Sequence, residues 1–94
     1  MDEMQVRESG EVIWIKLNEV VSVRGQLFVT YAATQAHADG GLLVTLVVAD
    51  PRSPAQPALL FETHGMGEPQ RFVDWHITLL SYEPDGRIQV EIGR

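Results

Sequence analysis

The chain has 94 residues, 45% hydrophobic and 21% charged, a length suited to one modest core and a composition too aliphatic for a disordered chain. Thirteen acidic against seven basic side chains leave a formal charge of −6, which repels a phosphate backbone and argues against a nucleic-acid partner. Without cysteine, the chain can have no disulfide, thiolate nucleophile or cysteine-based metal site.

The opening MDEMQVRESG is acidic and lacks the basic start and apolar stretch of a signal peptide. Residues 1–10 are expected to be a flexible segment of a single domain spanning 1–94. The expected location is cytoplasmic, or secreted or periplasmic if a leader has been removed. The longest apolar run, GLLVTLVVA, is too short for a membrane-spanning helix.

Strand signals dominate from there on. EVIWIKL (11–17) is apolar at both alternations, which predicts a central strand or one that passes under a covering sheet, with Trp14 in the core. VVSV (20–23), the turn formers Arg24-Gly25, and QLFVTYAAT (26–34) read as an antiparallel pair. QAHADGG (35–41) is loop chemistry, and LLVTLVVA (42–49) is the most apolar strand. DPRSPAQP (50–57) holds prolines that cannot donate to a ladder, so it is expected as a surface crossing between two halves of the domain. Its two overlapping PxxP spacings, through Pro51, Pro54 and Pro57, also fit a short polyproline ligand, but flanking strands favour a plain connection.

ALLFET (58–63) is the next strand, and HGMGEPQ (64–70) is a loop. The closing stretch FVDWHITLLSYEPDGRIQVEI reads as one hairpin. Pro84 and Asp85 suit the corners of a type I turn, and Gly86 suits the left-handed position after it. That register pairs Glu83 with Arg87, Tyr82 with Ile88, Leu80 with Val90 and Thr78 with Ile92. The sum is an all-β, single-domain antiparallel β-sandwich of about seven short strands, with a flattened β-barrel as the alternative.

The early strand pair through Val21, Val23, Gly25 and Leu27, with the late hairpin through Phe72, Trp75, Ile77, Leu79 and Leu80, resembles small uncharacterised bacterial β-sandwich domains, often secreted or lipid-anchored. The resemblance covers most of the chain at the level of pattern. In those domains the central loop tends to carry a cysteine-containing segment, whereas QAHADGG has none.

Chemistry-bearing motifs are few. A metal reading rests on His37, Asp39, His64 and His76, since imidazole and carboxylate are natural zinc ligands, yet no HExxH or clustered His pair occurs. A hydrolytic triad could be drawn from Ser53 or Ser81 with a histidine and Asp50, Asp74 or Asp85, but no serine sits on a nucleophile elbow. HGMG has no following helix to aim amides at a phosphate. No cofactor and no catalytic residue is expected.

The expected function is therefore contact with a protein, as an accessory, inhibitor or immunity-type module, or self-association as a homodimer. Trp75, Phe72 and Tyr82 on the closing hairpin are the expected interface residues. The second reading is a small-ligand or metal-binding domain using His37, Asp39, His64 and His76.

Overall fold

The computed structural model describes residues 11–94 except His37 and Asp39, so the segment 1–10 lies outside the described residues. The strands in chain order are β1 (Glu11–Ile15), β2 (Val20–Val23), β3 (Leu27–Ala36), β4 (Leu42–Ala49), β5 (Ala58–Glu62), β6 (Gln70–Phe72), β7 (Trp75–Tyr82) and β8 (Ile88–Gly93). Among the described residues a single 3-10 turn, Thr63–Gly65, follows β5. No helix among the described residues is long and apolar enough to cross a membrane.

The strands form two antiparallel sheets of four. Sheet A has the order β1-β8-β7-β6 and sheet B the order β2-β3-β4-β5. Among the described residues no ladder joins the two sheets, which makes the architecture a sandwich rather than a flattened barrel. Alternate residues turn inward from each sheet. Ile15, Ile77, Leu79, Ile88, Val90 and Ile92 of sheet A meet Val23, Leu27, Val29, Val44, Leu46 and Val48 of sheet B, all buried.

Eight strands appear where about seven were expected, because the stretch 72–82 is not continuous. Phe72 pairs with Trp75 across the two-residue turn Val73-Asp74, which splits off β6. Val73 takes a φ of 57°, a left-handed conformation that a β-branched side chain rarely adopts. The turn also resets the alternation. In an unbroken strand Phe72 and Trp75 would face opposite ways, whereas here both are buried.

The hairpin tip has the expected chemistry. Gly86, at φ 93°, donates its N–H to the Glu83 carbonyl at 2.9 Å, and the Glu83 N–H reaches the Arg87 carbonyl at 2.8 Å. Tyr82 pairs with Ile88 as expected, but the register then slips. A bulge at Leu80 pairs Leu79 with Val90 and Ile77 with Ile92, in place of Leu80 with Val90 and Thr78 with Ile92. The bulge lets Ile77 and Leu79 enter the core together with Tyr82, which a regular ladder would forbid.

Two further expectations are corrected. β1 is an edge strand, not a central one, and Trp14 lies on its outer face, 44% exposed. The proline-rich segment 50–57 joins neighbours β4 and β5 of the same sheet, and does not divide the domain into halves. The chain changes sheet instead in the turn after β1 and in the connection from β5 to β6.

Candidate functional site

Among the described residues, those expected to matter do not gather in one place. His37 and Asp39 lie outside the described residues. His64 sits in the 3-10 turn and His76 points outward from β7, opposite Arg71 and Gly93 of the flanking strands. Among the described residues no three His, Asp or Glu side chains cluster as metal ligands.

Trp75 and Phe72, expected at an interface, are 2% and 7% exposed and leave little surface for a partner. Tyr82 is half-buried at one end of the sandwich, packed against the core. The indole N–H of Trp75 donates to Asp50 Oδ2 at 2.8 Å. Asp50 is the one buried charged residue among those described, at 2% exposure, and it reaches the interior from the start of the β4–β5 connection.

Arg52 compensates that buried charge. Its Nε lies 3.1 Å from both Asp50 oxygens and its Nη2 lies 2.7 Å from Oδ2, while the backbone N–H of Arg52 donates to Oδ1 at 2.8 Å. The same Nη2 donates to Asp74 Oδ1 at 2.7 Å. Hydrogen bonds from Arg52 and then from Trp75 hold the Asp50 carboxyl far below the ordinary carboxylate range. Arg94 completes the group, with its guanidinium carbon 4.1 Å from the Trp75 ring centre and its Nε 3.7 Å from Asp74.

This constellation is a clamp. It ties the β4–β5 connection of sheet B to the β6–β7 turn of sheet A through charge-assisted bonds around a buried acceptor. It also engages the carboxylates that a hydrolytic triad would draw on, since Asp50 and Asp74 bind Arg52 while Asp85 binds Arg87 at 2.8 Å. In the sequence Asp50 was visible as one of three acids open to a triad, not as a buried acceptor. Its partners lie two and twenty-five positions away, a spacing that carries no motif.

The outer faces of the two sheets differ in where their charge lies. The outer face of sheet A carries Arg71 and Glu91 together with His76, while Glu11 lies on the inward alternation, opposite buried Ile92. The strands of sheet B carry one charged residue, Glu62, at a strand end. Ladder partners define the outer rows of sheet B: Val20, Thr30, Val47 and Ala58 form one, Ser22, Phe28 and Ala49 another, Ala33, Thr45 and Leu60 a third, and Gln35, Leu43 and Glu62 a fourth at the rim. Val20 and Leu60 are 59% and 50% exposed, and Phe28 is exposed beside them. The sequence signalled this face through LLVTLVVA, whose two-sided apolarity exceeds what a two-layer sandwich can cover with its own chain.

In comparisons with known proteins, the chain matches no family model, no curated protein and no solved structure. The functional reading therefore rests on the surface and its chemistry.

Proposed function

We propose that the chain acts through protein–protein contact rather than catalysis, and that the outer face of sheet B is its contact surface, covered by a second copy of the same chain. The observation that carries this reading is the near absence of charge from sheet B in a chain of net charge −6. An isologous contact places each residue near its own counterpart or a symmetry partner, so an acidic face would oppose like charges. The outer face of sheet B confines that cost to Glu62 at the end of an edge strand, whereas sheet A would bring Glu91, on a central strand, into such a contact.

Size supports the same choice. Four strands about 4.8 Å apart, from about 13 to 33 Å long, cover roughly 430 Å² in plan. Side-chain relief raises the accessible area toward the roughly 600–1,000 Å² that each partner gives to a stable dimer. A strongly basic partner protein would instead seek the acidic surface elsewhere on the molecule.

The test is sedimentation of the wild-type chain between about 10 and 500 µM, beside Thr45→Lys and Leu60→Glu on sheet B and Thr78→Lys on the outer face of sheet A. Wild type and Thr78→Lys are expected to sediment as dimers. The two sheet B variants are expected to be folded monomers by circular dichroism, with dimer affinity lowered about 100-fold or more. A wild-type chain that stays monomeric throughout the range, or dimers that survive both sheet B charges, would overturn the reading.

A further inference from the structure

At one end of the sandwich the two sheets part around a cleft of about 550 Å³, within the range of small-molecule sites. Lys16 and Leu17 line it from the β1–β2 turn, Tyr31 and Thr34 from β3, and Tyr82 and Arg87 from the closing hairpin. Both strand bulges of the fold serve this one place. The bulge between Tyr31 and Ala33 puts Thr34 opposite buried Val44, on the same inner side as Tyr31, where a regular strand would have turned it outward. The bulge at Leu80 does the same for Tyr82 on the other sheet.

Three hydroxyls result. The Tyr31 phenol, on a residue only 1% exposed, is bonded to Thr34 Oγ1. Burial first, and the neighbouring Tyr82 as well, push the Tyr31 pKa above its ordinary value, so the phenol is a neutral hydrogen-bonding group at physiological pH. Around them, Leu17 and the Tyr82 ring supply an apolar lining, with the buried Tyr31 ring behind them.

The frame is rigid before any ligand arrives. Asn18 donates its N–H to the Tyr31 carbonyl at 2.7 Å, and Tyr31 donates its own to the Glu19 carbonyl at 3.2 Å, so the turn bearing Lys16 is fastened to β3. The Glu19 carboxylate is engaged by the Lys16 backbone N–H at 2.9 Å. Arg87 is steadied by Asp85 and by the Trp14 ring, 4.9 Å away. Among the described residues no ion pair engages the Lys16 ammonium. The lining therefore carries two cations against the single carboxylate of Asp85, an excess of positive charge in an acidic protein.

We infer that this cleft binds a small carboxylate with a flat apolar body, its charge on Lys16 and Arg87, its polar edge on the hydroxyls of Tyr82 and Thr34, and its body against Leu17 and the Tyr82 ring. The cation excess selects the charge, the apolar lining selects the body, and the pre-fixed turns lower the ordering cost of binding.

The test uses indole-3-acetate as the probe and indole-3-acetamide as its neutral counterpart, each titrated into the full chain and followed by amide chemical shifts. Saturable shifts are expected at Lys16, Leu17, Thr34, Tyr82 and Arg87, with the acetamide about tenfold weaker, the usual worth of a charge-assisted bond. Lys16→Met is expected to weaken the acetate about tenfold and leave the acetamide nearly unchanged. Tyr82→Phe keeps the ring and removes one hydroxyl, and is expected to weaken both probes by a few-fold. Equal affinity for acid and amide, shifts confined to the outer face of sheet B, or no saturation up to about 10 mM would overturn the inference.

Discussion

The two tryptophans of sheet A present the same local chemistry in opposite settings. Trp14 has the Arg87 guanidinium 4.9 Å above its ring and is 44% exposed; Trp75 has that of Arg94 at 4.1 Å and is 2% exposed. Trp14 sits on an edge strand with its ring on the outer face, whereas Trp75 starts a central strand and turns inward. The difference between them is what burial does to a polar group. The Trp75 indole N–H has to be satisfied inside the protein, and Asp50 with Arg52 is the apparatus that satisfies it. Trp14 can leave the same atom to solvent, so no such apparatus is built around it.

The largest effect that can break this comparison is truncation of the inner ring. Trp75→Ala removes a large core side chain and strands Asp50 without one of its donors. It is expected to cost about 3–5 kcal/mol, a large share of the roughly 5–15 kcal/mol that holds a domain folded. For a chain of this size that lowers Tm on the order of 20 °C, readable by calorimetry. Trp75→Phe keeps most of the volume and loses the N–H, so its smaller loss separates packing from the hydrogen bond.

Acid sharpens the comparison further. The Asp50 carboxyl has a depressed pKa in the folded chain, so the unfolded chain binds the proton more readily. Its stabilising contribution is complete above the ordinary carboxylate range, near pH 4, and is lost as pH falls below it toward the folded value. Asp74 and Asp85 are lowered too, each through its bonds to an arginine, and add to the same acid limb. Asp50→Asn isolates one member. The gap in stability between wild type and this variant, measured by urea titration, is expected to be widest near pH 7 and to narrow steadily toward pH 2. A gap that does not change with pH would assign the loss to shape rather than charge.

Much of the fold was legible because turn chemistry and alternation are local. The Arg24-Gly25 turn and the Pro84-Asp85-Gly86 tip were readable from their residue types, and both occur where expected, with Arg24 and Gly25 at φ 56° and 68°. The eighth strand was not legible. Val73 in a left-handed turn position contradicts its own propensity, and only the tertiary hold on Asp74 and Trp75 explains why the chain bends there. Nor was the setting of Trp14, because two-sided apolarity looks the same on an edge strand as on a central one.

The candidate sites were legible in kind but not in place. Of the aromatics weighed from the sequence the fold buries Trp75 and Phe72, but it places Tyr82 and Tyr31 at the cleft, beside Lys16, Thr34 and Arg87, which were unremarkable one by one. Two bulges bring them together, and a bulge leaves little trace in a sequence beyond one residue out of phase. Leu80, apolar and adjacent to Leu79, was that trace. It reads as a second core residue until the register of β8 shows that the core has room for only one of the pair.

The smallest expected effect completes the comparison of the two rings. Trp14→Ala removes an exposed side chain whose specific contact is the one with Arg87, worth about 0.5–1 kcal/mol at an exposed site. Its thermal shift should therefore stay within a few degrees, against about 20 °C for Trp75→Ala. Arg87 also lines the cleft, so loosening it should weaken indole-3-acetate more than it weakens the fold. A Trp14→Ala chain as unstable as Trp75→Ala would mean that the outer ring is covered by something other than this chain. The natural candidate would then be a partner seated on sheet A, and the dimer contact assigned to sheet B would have to move there.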